Sequence, residues 1–141
     1  MQKQKGFTII ELIVVIAIIA VLASIVMVNV VSYINKSKDA QIKANMNVIR
    51  TETTAAASDV PTTLTTSTIA SSTAWAQITA TSGSGNVFQA VNTITQNWCA
   101  CARLVSDTTK YFCVDSSGSS KETTTACSTS NCGNSTTPAC P

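Results

Sequence analysis

The sequence predicts an α+β protein in which a single long N-terminal helix packs on a small antiparallel β module stapled by disulfides. Three observations carry that expectation. An uncharged apolar run passes without interruption into an amphipathic helical pattern. All six cysteines fall in the last third of the 141 residues. Around residue 100, apolar side chains alternate with a period of two, as in a half-buried strand.

The helix comes first. Between Gly6 and Asn35 the only charged side chain is Glu11. Within residues 12–34 only Ser24, Asn29, Ser32 and Tyr33 interrupt the apolar residues. As a helix, that stretch covers roughly 35 Å, enough for a bilayer core of about 30 Å. A cleaved secretory signal would have a shorter core and a small-residue cleavage site after it. Here no proline or glycine ends the run, so the segment is expected to stay with the mature chain. Further on, Met27, Val31, Ile34, Ile42, Met46, Ile49, Ala56 and Val60 share one helical face, interrupted by Lys38 and Thr53. Lys36, Asp39, Lys43 and Arg50 lie mostly on its flanks. Pro61 disfavours helical geometry at the residue before it, so the helix is expected to span about residues 7–59.

The module is read from residue 61 onward. Of the 91 residues from 51 to the end, 35 are Ser or Thr. The same stretch holds five acidic and three basic side chains, and so offers no basic stripe for nucleic acid. Residues 61–97 carry scattered apolar positions (Leu64, Ile69, Trp75, Ile78). Val87, Val91, Ile94 and Trp98 fit a short helix as well as a strand, and SGSG at 82–85 marks a loop. In NWCACARLVSDTTKYFCVD, Trp98, Ala100, Ala102 and Leu104 form an inner face, matched by Phe112 and Val114 on a second strand. Aligning the two across a turn at 106–108 places Cys101 opposite Cys113 and Arg103 opposite Tyr111. Trp75, Trp98 and Phe112 are assigned to core packing against the amphipathic half of the helix.

Cys99, Cys101, Cys113, Cys127, Cys132 and Cys140 are read as disulfide cysteines from an oxidising compartment. Zinc is disfavoured because the chain has no histidine and its spacings, C-x-C and C-x4-C, are not C-x2-C pairs. Six cysteines allow 15 connectivities. The pairings considered are Cys101–Cys113 across the hairpin, Cys127–Cys132 closing a small loop, and Cys140 tied back to Cys99. Without histidine, a glycine-rich phosphate loop or a catalytic carboxylate pair, no enzyme is expected. Asp107, Asp115 and Glu122 are too dispersed for a metal site, and no cofactor is expected. The hydroxyl-rich surface allows O-glycosylation, and Asn134 begins an N-x-S/T pattern. An adhesin-like binding face is a second functional class compatible with that surface.

KGFTIIELIVVIAIIAVLASI resembles the N-terminal signature of type IV prepilins and pseudopilins: a short basic leader, a glycine before the cut, a phenylalanine after it, and a glutamate five residues into the mature chain. The resemblance implies cleavage between Gly6 and Phe7 by a membrane prepilin peptidase, which methylates the new amino group of Phe7. It further implies that Glu11 faces the Phe7 amine of its own or a neighbouring subunit in a helical homopolymer. The organisation expected is a leader at 1–6, a transmembrane and filament-core helix at 7–34, an amphipathic half at 35–60 and the β module at 61–141. The subunit would occupy the cytoplasmic membrane, meet the pilus assembly machinery there, and then enter an extracellular pilus serving adhesion or motility. A pseudopilin or minor pilin of a type II secretion or DNA-uptake system is the alternative. Many type IV pilins carry glycine where this chain has Ala20 and proline where it has Val28, residues that favour local loss of helix.

Overall fold

The computed structural model describes residues 6–58, 64–128, 130–132, 134 and 136–141. Helix α1 runs from Ile9 to Ser58 without a break, through Ala20 and the backbone of Val28. No glycine or proline falls inside it to interrupt the ladder. The expected stop at Asp59–Pro61, and Val60, lie outside the described residues. The chain divides into two compact units at residues 34 and 35.

In the first unit every described side chain from Gly6 to Tyr33 is exposed. Apolar residues dominate it, with Phe7 80 % and Ile10 70 % accessible. This stretch makes α1 long and apolar enough to cross a membrane.

The second unit builds the core. Ile42, Met46 and Ile49 recur at helical spacing on α1 and are all 0 % exposed. They share one buried cluster with Leu64, Ile69, Trp75, Ile78, Val91, Trp98, Ala100, Ala102, Leu104, Phe112 and Val114. The three large aromatics thus take the core positions assigned to them. Thr53, which breaks the apolar stripe in sequence, is itself buried.

Two short helices, α2 (Thr66–Ala70) and α3 (Thr73–Ser82), occupy a stretch where the sequence indicated only scattered apolar positions. Ser72 caps α3 by accepting from the Ala74 N–H at 3.2 Å, and its hydroxyl donates to Glu52. Ala74, Trp75 and Ile78 then point inward from one face. Gly83 ends α3 at φ +91°, and a Cβ there would also meet the Asn86 side chain at 3.2 Å.

The sheet has four strands in the order β1-β2-β3-β4: Val87–Val91, Trp98–Arg103, Tyr111–Asp115 and Ser120–Thr123. All neighbours are antiparallel. Val87 and Val91 therefore belong to a strand, while Ile94 sits in the following turn, 91 % exposed. The β2–β3 register pairs Cys101 with Cys113 and Arg103 with Tyr111, as the alternating inner face requires.

Alternation also sends Cys99, Cys101 and Cys113 to the opposite face of the sheet, where they cluster with Cys127 and Cys132. None of the three pairings considered from sequence occurs. The bridges are Cys99–Cys132, Cys101–Cys127 and Cys113–Cys140, with Cα separations of 5.2, 6.3 and 5.7 Å. Cys101 and Cys113 do face each other, yet each takes a partner from the C-terminal tail lying over that face. A physical reason favours this outcome. The hairpin is already closed by its own ladder, so a Cys101–Cys113 bond would restrain little further chain. The tail bridges close separations of 26 to 33 residues. In the chain-entropy account, loops of that size are worth about 3 to 4 kcal/mol each.

Candidate functional site

Two places bear on function: the N-terminal segment, and the seam where the β2–β3 loop meets α1. At the N-terminus, Phe7 and Thr8 precede the first turn of α1. Glu11 Oε2 accepts from the Thr8 N–H at 2.8 Å and from the Thr8 hydroxyl at 2.7 Å. In return the Glu11 N–H donates to Thr8 Oγ1 at 3.4 Å. This reciprocal pair is a capping box, with threonine just outside the helix and glutamate three residues on. Its carboxylate also lies at the positive end of the helix dipole. The T-x-x-E spacing was visible in the sequence, and reading Glu11 only as a charge in an apolar run overlooked it.

The capping box leaves chemistry unused. Glu11 Oε1 has no hydrogen-bond partner among the described residues, so one carboxylate oxygen stays available to a cation. Gly6 is exposed, and a Cβ built on it would meet nothing within 4 Å. Packing among the described residues therefore does not require glycine at that position.

At the seam, Asp39 is 6 % exposed although its helical position placed it on a flank. Its carboxylate takes the Val105 N–H at 2.6 Å, the Ser106 N–H at 3.3 Å and the Ser106 hydroxyl. The loop after β2 is thereby fastened to α1. Beside it, Lys43 Nζ meets Glu122 at 2.5 Å and Lys110 lies 3.8 Å from Asp107.

Asp107, Asp115 and Glu122 are engaged separately. Asp107 turns the chain by accepting from Thr109, whose hydroxyl and N–H hold its carboxyl below the usual range. Burial pushes the Asp115 carboxyl up. Hydrogen bonds from the Ser117 hydroxyl and from the Cys140, Ser119 and Ser117 N–H groups outweigh that and bring it below the ordinary value. Through the Cys140 N–H, at 3.0 Å, Asp115 also pins the end of the tail. The Cys99, Cys113 and Cys132 sulfurs lie within 4.8 Å of one another, but each is tied up in a disulfide and so is not a thiolate ligand. Asn134 accepts from the Thr136 N–H at 2.9 Å, and Ser135 of that pattern lies outside the described residues.

Residues 1–27 match the family model of the prokaryotic N-terminal methylation motif. The chain carries the class III signal of type IV pilins. This is the segment that prepilin peptidase recognises in pilin-type proteins. With the apolar helix behind it, the signal indicates a pilin- or pseudopilin-like precursor anchored in a membrane. No curated protein and no solved structure matches the chain.

Proposed function

We propose that this chain is the structural subunit of a type IV pilus, cut after Gly6, methylated at Phe7 and polymerised through its N-terminal helix into an extracellular filament for adhesion or motility. The observation that carries this reading is the methylation motif leading straight into an exposed apolar helix. A surface of that extent is not stable in water and needs lipid or other protein around it. Lipid supplies the cover before assembly, and the helices of neighbouring copies supply it afterwards. Glu11 then answers the positive amine created at Phe7, and the free Oε1 gives that amine a place to bind. A Phe7 amine left unpaired in an apolar core is costly, so the pairing also selects one stagger between subunits.

A pseudopilin or minor pilin of a secretion or DNA-uptake system is the second reading. It is favoured by the unbroken course of α1 through Ala20 and Val28, where the resembled pilins carry helix breakers.

The first test is at the cleavage position. Because a Cβ at Gly6 meets nothing within 4 Å among the described residues, Gly6→Val is expected to leave folding untouched and act only through the peptidase. Intact mass of the membrane fraction should show the chain still beginning at Met1, with no filaments shed. Normal cleavage of Gly6→Val would contradict the assignment of the cut site.

A further inference from the structure

Two of the three disulfides lie against each other. Cys99 Sγ, bonded to Cys132, is 3.4 Å from Cys113 Sγ, bonded to Cys140. Both strand cysteines are fully buried, as is Cys132, whereas Cys140 is partly exposed. A reagent reaching this cluster from solvent therefore meets Cys140 first. Thiol–disulfide exchange proceeds by attack of a thiolate on a neighbouring disulfide sulfur, and the sheet already places these two sulfurs in contact.

We propose that Cys140 is the entry point of a disulfide relay, addressed by a dithiol/disulfide oxidoreductase, through which one two-electron reduction frees both Cys140 and the buried Cys132. The dithiol's thiolate attacks Cys140 Sγ, and Cys113 leaves as a thiolate. The reagent's second thiol resolves the mixed disulfide, so the reagent is oxidised and Cys140 is left as a thiol. The Cys113 thiolate then attacks Cys99 Sγ. The Cys99–Cys132 bond breaks, a Cys99–Cys113 bond forms, and Cys132 leaves as a thiolate that takes a proton from solvent. No electrons are consumed in this second step. After it, the tail beyond Cys127 has no covalent tie to the sheet, and two thiols from one face are accessible. Run in reverse, the relay lets an oxidant that reaches only Cys140 close both tail bridges.

The relay is independent of whether the chain polymerises, and tryptic mapping tests it. Cleavage at Arg50, Arg103, Lys110 and Lys121 separates peptides 51–103, 111–121 and 122–141, which carry Cys99 with Cys101, Cys113 alone, and the three tail cysteines. The full processed chain in detergent is treated with one equivalent of dithiothreitol, quenched in acid, alkylated with N-ethylmaleimide and digested. The relay predicts that peptide 111–121 stays out of the released fraction, its crosslink moved from 122–141 to 51–103, with both alkyl groups on Cys132 and Cys140. Release of 111–121 with alkylated Cys113, or alkylation of Cys99, Cys101 or Cys127, overturns it. The double variant Cys99→Ser, Cys132→Ser lacks the acceptor disulfide, so there 111–121 must be released with Cys113 alkylated.

Discussion

Replacing Glu11 with glutamine is expected to lower filament yield about tenfold or more, while membrane insertion and cleavage after Gly6 continue. The choice of glutamine follows from the capping box. Gln at this position still accepts from Thr8 and still caps α1, so the helix start is kept and only the charge is lost. Two unit charges about 4 Å apart attract by roughly 4 kcal/mol at an effective dielectric of 20. That attraction opposes the cost of a carboxylate in an apolar helix, about 2.5–3.5 kcal/mol at a helix centre and less near an end. Losing the pairing partner leaves the Phe7 amine alone among apolar side chains. Glu11→Ala removes the cap as well, so comparing the two variants separates helix capping from charge pairing. Quantified shear fractions and membrane fractions from each strain provide the readout. Filament yield from Glu11→Gln at the parental level would show that the carboxylate acts only as a cap.

The second large effect is expected at Asp39. Asp39→Ala removes the acceptor of the Val105 and Ser106 N–H groups at a part-buried seam, where Val105 is half-buried and Ser106 exposed. A hydrogen bond contributes roughly 0.5–1.5 kcal/mol net, more to a charged acceptor, and a domain near 100 residues loses about 4–8 °C in Tm per kcal/mol. Thermal unfolding should therefore drop by about 5–10 °C, with the disulfides intact. Asp39→Asn keeps one acceptor oxygen and should recover part of the loss. An unchanged Tm for Asp39→Ala would mean that water replaces the carboxylate at no cost and that the loop is not held by it.

Asp39 also shows where sequence reasoning stops. On a helical wheel it lies at the edge of the apolar stripe, which is a correct statement about α1 alone. Its burial comes from a loop more than sixty residues away, and no local pattern announces that loop's arrival. The hairpin was legible for the opposite reason. Alternating Trp98, Ala100, Ala102 and Leu104 must face one way, and a one-residue slip would turn them all outward, so pairing Cys101 with Cys113 followed from burial. That same argument identifies which cysteines share a face but not what they bond to. Their partners ride on a tail with no periodicity. Helices α2 and α3 were hidden by their threonines and serines, which are indifferent helix formers, although Ser72 ahead of Ala74, Trp75 and Ile78 was a usable start signal. At the N-terminus the motif matched over residues 1–27 was legible because it is contiguous in sequence, and so was the T-x-x-E spacing of the capping box.

Processing after Gly6 and assembly into a surface filament, as proposed above, can be read from one measurement. Intact-mass measurement of the protein in sheared extracellular filaments, with the membrane fraction measured alongside, tests both most directly. Abundant protein is expected in the sheared fraction, beginning at Phe7 and carrying one methyl group on its amine. Processed protein confined to the membrane would contradict the surface filament and leave the pseudopilin reading, and protein still beginning at Met1 would contradict the processing itself.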